Sequence, residues 1–172
     1  MQLNPYGEYA VLLAADLANR RPESAAELLR RCAAAGVTFE AGTGRPDLPE
    51  VLDYLDAWCE VVDAATDAQR AARLNALLAA ATAHPRLTDH VGDGWHLHYR
   101  EEDISYAHKL RALLSTGTAL HLVGRGMHRL GRCGAEGCAR VYADISRNGR
   151  QRYCSPACGN RDAVRRHRAR AS

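Results

Sequence analysis

Hydrophobic and polar positions follow two different periods along this chain, and the changes of period set out its elements. From Pro5 to about Arg20 (PYGEYAVLLAADLANR) the apolar residues recur at helical spacing, and the run stops before Pro22. Ser24-Ala-Ala-Glu27 forms a capping box, so a second helix starts there and ends at Gly36. Asp47-Leu-Pro-Glu50 opens a third helix through Val51, Leu55, Trp58 and Val62. Thr66-Asp-Ala-Gln69 opens a fourth, which reaches Ala83 before the His84-Pro85 break. The stretch TFEAGTGRPD, between the second and third helices, reads as a loop.

The period then shortens to two. RLTDHV and WHLHYR alternate on either side of Gly92-Asp93-Gly94, which predicts a β-hairpin near 86–100. From about Asp103 the helical period returns through Ile104, Ala107, Leu110, Leu113 and Leu114 and runs past Gly117 to Val123; Gly124 and Gly126 interrupt it. The expected fold is mainly α with a small β-hairpin over 1–124, followed by a second unit over 125–172 where the composition shifts.

Charge sharpens that division. From Arg125 onward there are twelve arginines against three acids (Glu136, Asp144, Asp162), a balance of +9, whereas the first 124 residues carry −6. An acidic body with a basic tail points to a polyanionic partner. Lys109 is the only lysine, so the clustering of arginine is informative and the preference for it is not. No apolar run is long enough to span a membrane, and MQLNPYGEYA lacks the basic and apolar regions of a secretory signal. The cytoplasm, where thiols stay reduced, is the expected location.

Six cysteines divide unevenly. Cys32 and Cys59 sit singly in predicted helices, as small buried thiols do. Cys133, Cys138, Cys154 and Cys158 crowd the tail as C-x4-C-x15-C-x3-C. Two close pairs at this separation suit one structural zinc ion held by four thiolates, with no coordination position left for water or substrate. Disulfides are the rival reading, which a reducing compartment disfavours. RVYADISRNGRQRYC reads as two short strands around Asn148-Gly149, a pair suited to a type I′ turn. Ser155 then caps a helix with Pro156 at its first position, placing Cys154 before the cap and Cys158 in the first turn. Knuckle, hairpin and ligand-bearing helix make a treble-clef-like zinc finger. So short a unit buries little core, so zinc is expected to supply most of its folding energy.

The Cys158-Gly159-Asn160-Arg161 tetrad, with Arg140-Val141-Tyr142 and SRNGRQRYCS before it and VRRHRAR after it, resembles the CGNR zinc finger. In that family the finger usually follows a helical ABATE domain, and LAADLANRR, RLNALLAAA, RLTDHVGDGWHLHYR and STGTALHLVGRGMHRL here are similar to parts of it. Two departures stand out: Arg20 follows LAN where many members carry threonine, and three residues separate the last two cysteines where some members have four. The resemblance implies a stress-induced transcription regulator that binds DNA.

Wound as a helix, the last segment puts Arg161, Arg165 and Arg168 on one face beside Cys158, with Arg166 and Arg170 on a second ridge. Val164 and Ala157 lie on another side, suited to packing against the hairpin or the helical body. Five like charges on one helix repel unless an anionic partner neutralises them, and Arg147, Arg150 and Arg152 extend the surface. Arg161 has a second role open to it, a bond to a zinc-bound sulfur, and Asn160 can brace the knuckle. A single finger reads little sequence, so a homodimer made by the N-terminal helices is expected. Two rival readings remain at this stage. One is an adaptor gripping an acidic protein or RNA. The other is a small-molecule sensor with Trp58, Trp95, Tyr99 and the pair His96 and His98 around a pocket, which are equally good core residues. That histidine pair offers a weak second metal site, and Asp16 and Asn19 either line a pocket or brace the first helix. No G-x-S-x-G, P-loop or H-E-x-x-H occurs, and His128 and His167 stand outside the positions that treble-clef nuclease chemistry needs, so an enzyme is not expected.

Overall fold

The computed structural model describes residues 5–39, 44–89, 95–101 and 103–171. The Gly92-Asp93-Gly94 turn and part of the TFEAGTGRPD loop lie outside them. In chain order the elements are α1 (Pro5–Asn19), α2 (Ala25–Ala34), α3 (Leu48–Val62), α4 (Asp67–Ala81), β1 (Arg86–Thr88), β2 (His96–His98) and α5 (Tyr106–Arg125). A 3-10 turn (Met127–Arg129), β3 (Leu130–Arg132), β4 (Val141–Ala143) and α6 (Pro156–Ala171) follow. The protein is mainly helical with two small antiparallel strand pairs, β1 with β2 and β3 with β4.

The helix starts follow from their capping side chains. Ser24 accepts from the Glu27 amide, Asp47 from Glu50, Thr66 from Gln69 and Ser105 from His108, so each oxygen satisfies one donor that the first turn leaves orphaned. The Glu27 carboxylate reaches back to the Glu23 amide. Beyond α2, Gly36 adopts φ +75° while Gly36 N–H and Val37 N–H bond Ala33 and Cys32 carbonyls, the paired closure that a glycine permits.

α5 is the central helix, packed against α1, α3 and α4. Gly117 shows why a weak helix former sits in its middle. A Cβ there would stand 2.2 Å from the Ala10 Cβ, so α1 crosses α5 at a distance only glycine allows. Thr118, another poor helix former, is fully buried; it accepts from Trp58 Nε1 at 2.9 Å and donates to the Leu114 carbonyl at 2.7 Å. Tyr54 and Ser115 hydroxyls bond at 3.1 Å in the same α3–α5 seam. These buried polar pairs orient the two helices at no desolvation loss, because each group is matched.

The core does not stop at α5. Leu130, Val141 and Ala143 are buried in the same apolar cluster as Leu17, Val51 and Trp58, so β3 and β4 close one side of the helical body. At the C-terminus of α1, Asn19 completes the edge of β4: its Nδ2 donates to the Val141 carbonyl at 2.9 Å and its Oδ1 accepts from the Val141 amide at 2.8 Å. One side-chain amide thus replaces a neighbouring strand. Both of these Asn19 bonds go to β4, so the side chain braces the C-terminal unit. The variant Asn19→Ala leaves both Val141 groups unpaired and is expected to cost about 2 kcal/mol. Thermal unfolding should show this as a fall of about 4–8 °C in Tm.

Salt links reinforce the junction. Arg132 binds Asp63 through Nε and Nη2, both at 2.7 Å, and this hydrogen bonding holds the Asp63 carboxyl below its usual range. Arg125 bonds Glu8 of α1 and the Ile145 carbonyl. Among the described residues no helix is long and apolar enough to cross a membrane.

Candidate metal centre and nucleic-acid interface

Four cysteines from two parts of the tail converge. The strand pair β3–β4 carries a loop between its strands, and that loop holds Cys133 and Cys138; Gly137 at φ +70° turns it, and Cys138 N–H bonds the Ala135 carbonyl. Cys154 precedes α6 and Cys158 lies in its first turn, where the Cys158 amide bonds the Ser155 hydroxyl at 3.3 Å, the expected cap. The four Sγ atoms lie within 4.8 Å of one another. The spacings are 3.8 Å for Cys138–Cys154, 3.6 Å for Cys154–Cys158 and 3.8 Å for Cys158–Cys138. A tetrahedron with metal–sulfur bonds of about 2.3 Å has edges of about 3.8 Å, so the donor set fits zinc. All six cysteines are free thiols.

The chemistry of the cluster agrees with the geometry. Burial, then the hydrogen bonds of Cys158, Cys133 and Cys138, push the Cys154 thiol up to about 12. The Cys154 thiol therefore resists ionising beside its three neighbours unless a cation compensates it. Two donors point at the sulfurs: the Cys154 amide reaches Cys133 Sγ at 3.3 Å and Arg161 Nη2 reaches Cys158 Sγ at 3.5 Å. Such donors spread thiolate charge. The protein carries one structural zinc site formed by the four thiolates of Cys133, Cys138, Cys154 and Cys158. Burial has the opposite meaning at Cys32 and Cys59, whose thiols are pushed up with no cluster around them, as inert core thiols are.

Residues 129–171 match the CGNR zinc finger family. The tetrad that names the family has distinct roles here. Cys158 is a ligand, and Arg161 supports its sulfur. Gly159 lets the Tyr153 ring approach, since a Cβ there would lie 3.3 Å from Tyr153 Cδ2. Asn160 is exposed and lines a groove with Arg161. The match leaves residues 1–128 outside it, and no curated protein matches the chain.

Two sequence expectations for the finger are corrected. The strand pair is not a hairpin around Asn148-Gly149. β4 pairs back onto β3 across the knuckle, Leu130 opposite Ala143 and Arg132 opposite Val141, and residues 144–155 hold no strand. Gly149 has φ +64° but Asn148 does not share the positive φ that a type I′ turn requires at both positions. The reason is Asp144, 1% exposed, whose carboxylate accepts from Ser146 N–H at 2.8 Å, Ser146 Oγ–H at 2.5 Å and Gln151 N–H at 3.0 Å. Burial raises Asp144, but the Ser146 and Gln151 bonds and Arg129 outweigh it and hold it below the usual carboxylate range. This acid winds 146–151 into a loop that displays Arg147 and Arg150. The second correction concerns Val164 and Ala157, which are not packed against the hairpin or the body: both are exposed, Val164 at 51%.

α6 therefore projects from the finger, with Cys158 and Asp162 its buried residues among those described over 156–170. Arg161, Arg165 and Arg168 do share a face, lining a groove with Glu136 and Asn160. Arg166 and Arg170 are exposed, as are Arg147, Arg150 and Arg152. Some of these arginines have partners within the protein. Arg165 pairs with Asp162 at 3.0 Å and with Glu136 of the knuckle at 3.3 Å, and Arg166 pairs with Asp162 at 3.0 Å. The sequence reading missed Asp162, Glu136 and Tyr153; the i,i+3 and i,i+4 spacing of Asp162 to Arg165 and Arg166 was the available signal.

The remaining candidates separate. Trp58 is enclosed in the core, whereas Trp95 stands 75% exposed beside β2, so the two do not frame a common pocket. Tyr99 is half-buried and its carbonyl accepts from Ala83 N–H. Asp16 is bound by Arg20 and Arg31 rather than open to a ligand. Among the described residues, the four cysteines are the group of ligating side chains close enough to hold a metal; the side chain of His96 lies outside that description. His128 and His167 are exposed.

Proposed function

We propose that this protein is a cytoplasmic, DNA-binding transcriptional regulator, a binding protein rather than an enzyme. The zinc-stapled finger presents α6 to DNA, and the helical body, similar in its motifs to the ABATE domain, senses a signal or dimerises. The observation that carries this reading is α6 itself: a helix anchored at one end by the four-thiolate zinc site, exposed over 163–170, and bearing Arg161, Arg165, Arg166, Arg168 and Arg170. A projecting cationic helix matches the major groove in width and charge. Arg147 and Arg150, on a loop stiffened by Asp144, suit backbone contacts.

The test is selection of fragmented genomic DNA by the zinc-loaded full chain at about 150 mM salt, where nonspecific binding is weak. Recovery of a shared motif is expected. With about five phosphates neutralised, log K should fall with log salt at a slope of about −4 to −5, and Arg165→Ala with Arg168→Ala should make it shallower by about 2. A pool without a motif, together with binding that salt abolishes, would replace this reading with a generic polyanion grip such as an RNA or acidic-protein adaptor uses.

A further inference from the structure

The one acid of α6 lies buried among its arginines. Asp162 is 6% exposed, one helical turn after Cys158, and its carboxylate holds three partners. Tyr153, directly before the ligand Cys154, donates its hydroxyl to Oδ2 at 2.8 Å. Arg165 donates to Oδ1 through Nη2 at 3.0 Å and through Nε at 3.3 Å. Arg166 bridges to Oδ2 through Nε at 3.0 Å. The Tyr153 hydroxyl and Arg165 keep the carboxyl below its usual range, so it is a full negative charge at neutral pH.

We propose that Tyr153 and Asp162 form a latch that sets Arg165 and Arg166 in fixed orientations before a nucleic acid arrives, and that this latch determines discrimination between sequences rather than raw affinity. The inference rests on the DNA-binding reading above and makes Asp162 and Tyr153 positioning residues. An arginine on a free helix samples many rotamers, and ordering it on binding is a cost that every duplex would meet equally. Arg166 is exposed and its bridge to Asp162 is made through Nε, which does not itself occupy the end-on Nη1 and Nη2 pair that reads guanine O6 and N7 or clasps one phosphate. Glu136, at 3.3 Å from Arg165, ties the same guanidinium to the knuckle, so the zinc fold sets its position. The acid also cancels part of the helix's positive charge. A surface built for affinity alone would omit it; one built for discrimination benefits, because nonspecific binding is the electrostatic share.

Two measurements on the zinc-loaded full chain test the latch. The first is NMR of the arginine Nε–H groups: Arg165 and Arg166 should give ordered, slowly exchanging signals that Asp162→Asn abolishes. Signals already averaged in the unaltered protein would overturn the latch, whatever the protein binds. The second compares affinities for a selected motif and a scrambled duplex. Asp162→Asn should bind the scrambled duplex as tightly or several-fold tighter while the ratio between the two falls at least tenfold, and Tyr153→Phe should shift the ratio the same way by less. An unchanged ratio, or equal loss on both duplexes with loss of zinc, would overturn the role in discrimination and leave Asp162 a structural residue. Ordered arginines in a protein that prefers no sequence would refute the DNA-reading function and its discrimination role while the latch itself stands.

Discussion

Removing zinc should unfold the C-terminal finger and leave the α1–α5 body helical. Structural zinc sites of four thiolates bind with apparent free energies of about 10–16 kcal/mol at neutral pH, more than a unit of this size gathers from its own core. The cysteine cluster has little apolar matter around it: Ala135 is its one buried non-cysteine member, with Tyr153 alongside. α6 is less able still to stand alone, since an isolated helix of its length is marginal in water and its arginines repel. Elemental analysis should give one zinc per chain. Cys138→Ser or Cys158→Ser should reduce that to below about a tenth, as should a strong chelator. Far-UV circular dichroism should lose a share of helix comparable to α6 and keep the rest. The body will not be untouched, because Leu130, Val141 and Ala143 close its core, so its Tm should fall as well. Stoichiometric zinc in both serine variants would refute the ligand set.

The second large effect is expected at Arg70, in the first turn of α4. Its guanidinium donates to the Val61 carbonyl at 3.1 Å and the Val62 carbonyl at 3.0 Å, and also to the Met127 carbonyl. It thereby places a cation at the C-terminal end of α3, where helix carbonyls lack partners, and fastens the 3-10 turn that leads into the finger. Arg70 is 9% exposed, so water does not readily take over. Replacing it with alanine removes a charge that serves three acceptors, and about 3 kcal/mol or more should be lost. For a chain of this length that corresponds to a Tm lower by about 6–12 °C. Arg70→Lys should recover only part of it, because a single ammonium cannot span three carbonyls. A Tm within about 1 °C of the unaltered protein would show that these bonds do not hold α3, α4 and the turn together.

Much of this molecule is written in local patterns. Ser24, Asp47 and Thr66 mark helix starts because their oxygens satisfy amides three residues on, an interaction with no tertiary requirement. The four zinc ligands are equally local: pairs four or five residues apart, then a capped helix, specify a metal site before any packing is known. The charge division between body and tail is likewise fixed by composition.

Tertiary contacts decided the rest. Gly117 and Thr118 read as weaknesses in a helix, yet the approach of α1 to Gly117 and the bond from Trp58 to Thr118 make them necessary; both partners lie far away along the chain. The partner of β4 was misassigned because a strong local turn signal at Asn148-Gly149 lost to burial of Asp144 and to an edge that Asn19 completes from the end of α1. Val164 was given a packing role from its hydrophobicity, but it stays exposed in the groove that Arg161, Arg165 and Arg168 line. The arginines of α6 could be counted from the sequence, and the spacing of Asp162 to Arg165 and Arg166 is local to the helix. The link from Arg165 to Glu136 is not: it depends on where a zinc ion anchors the helix, and that position is set only when all four cysteines come together.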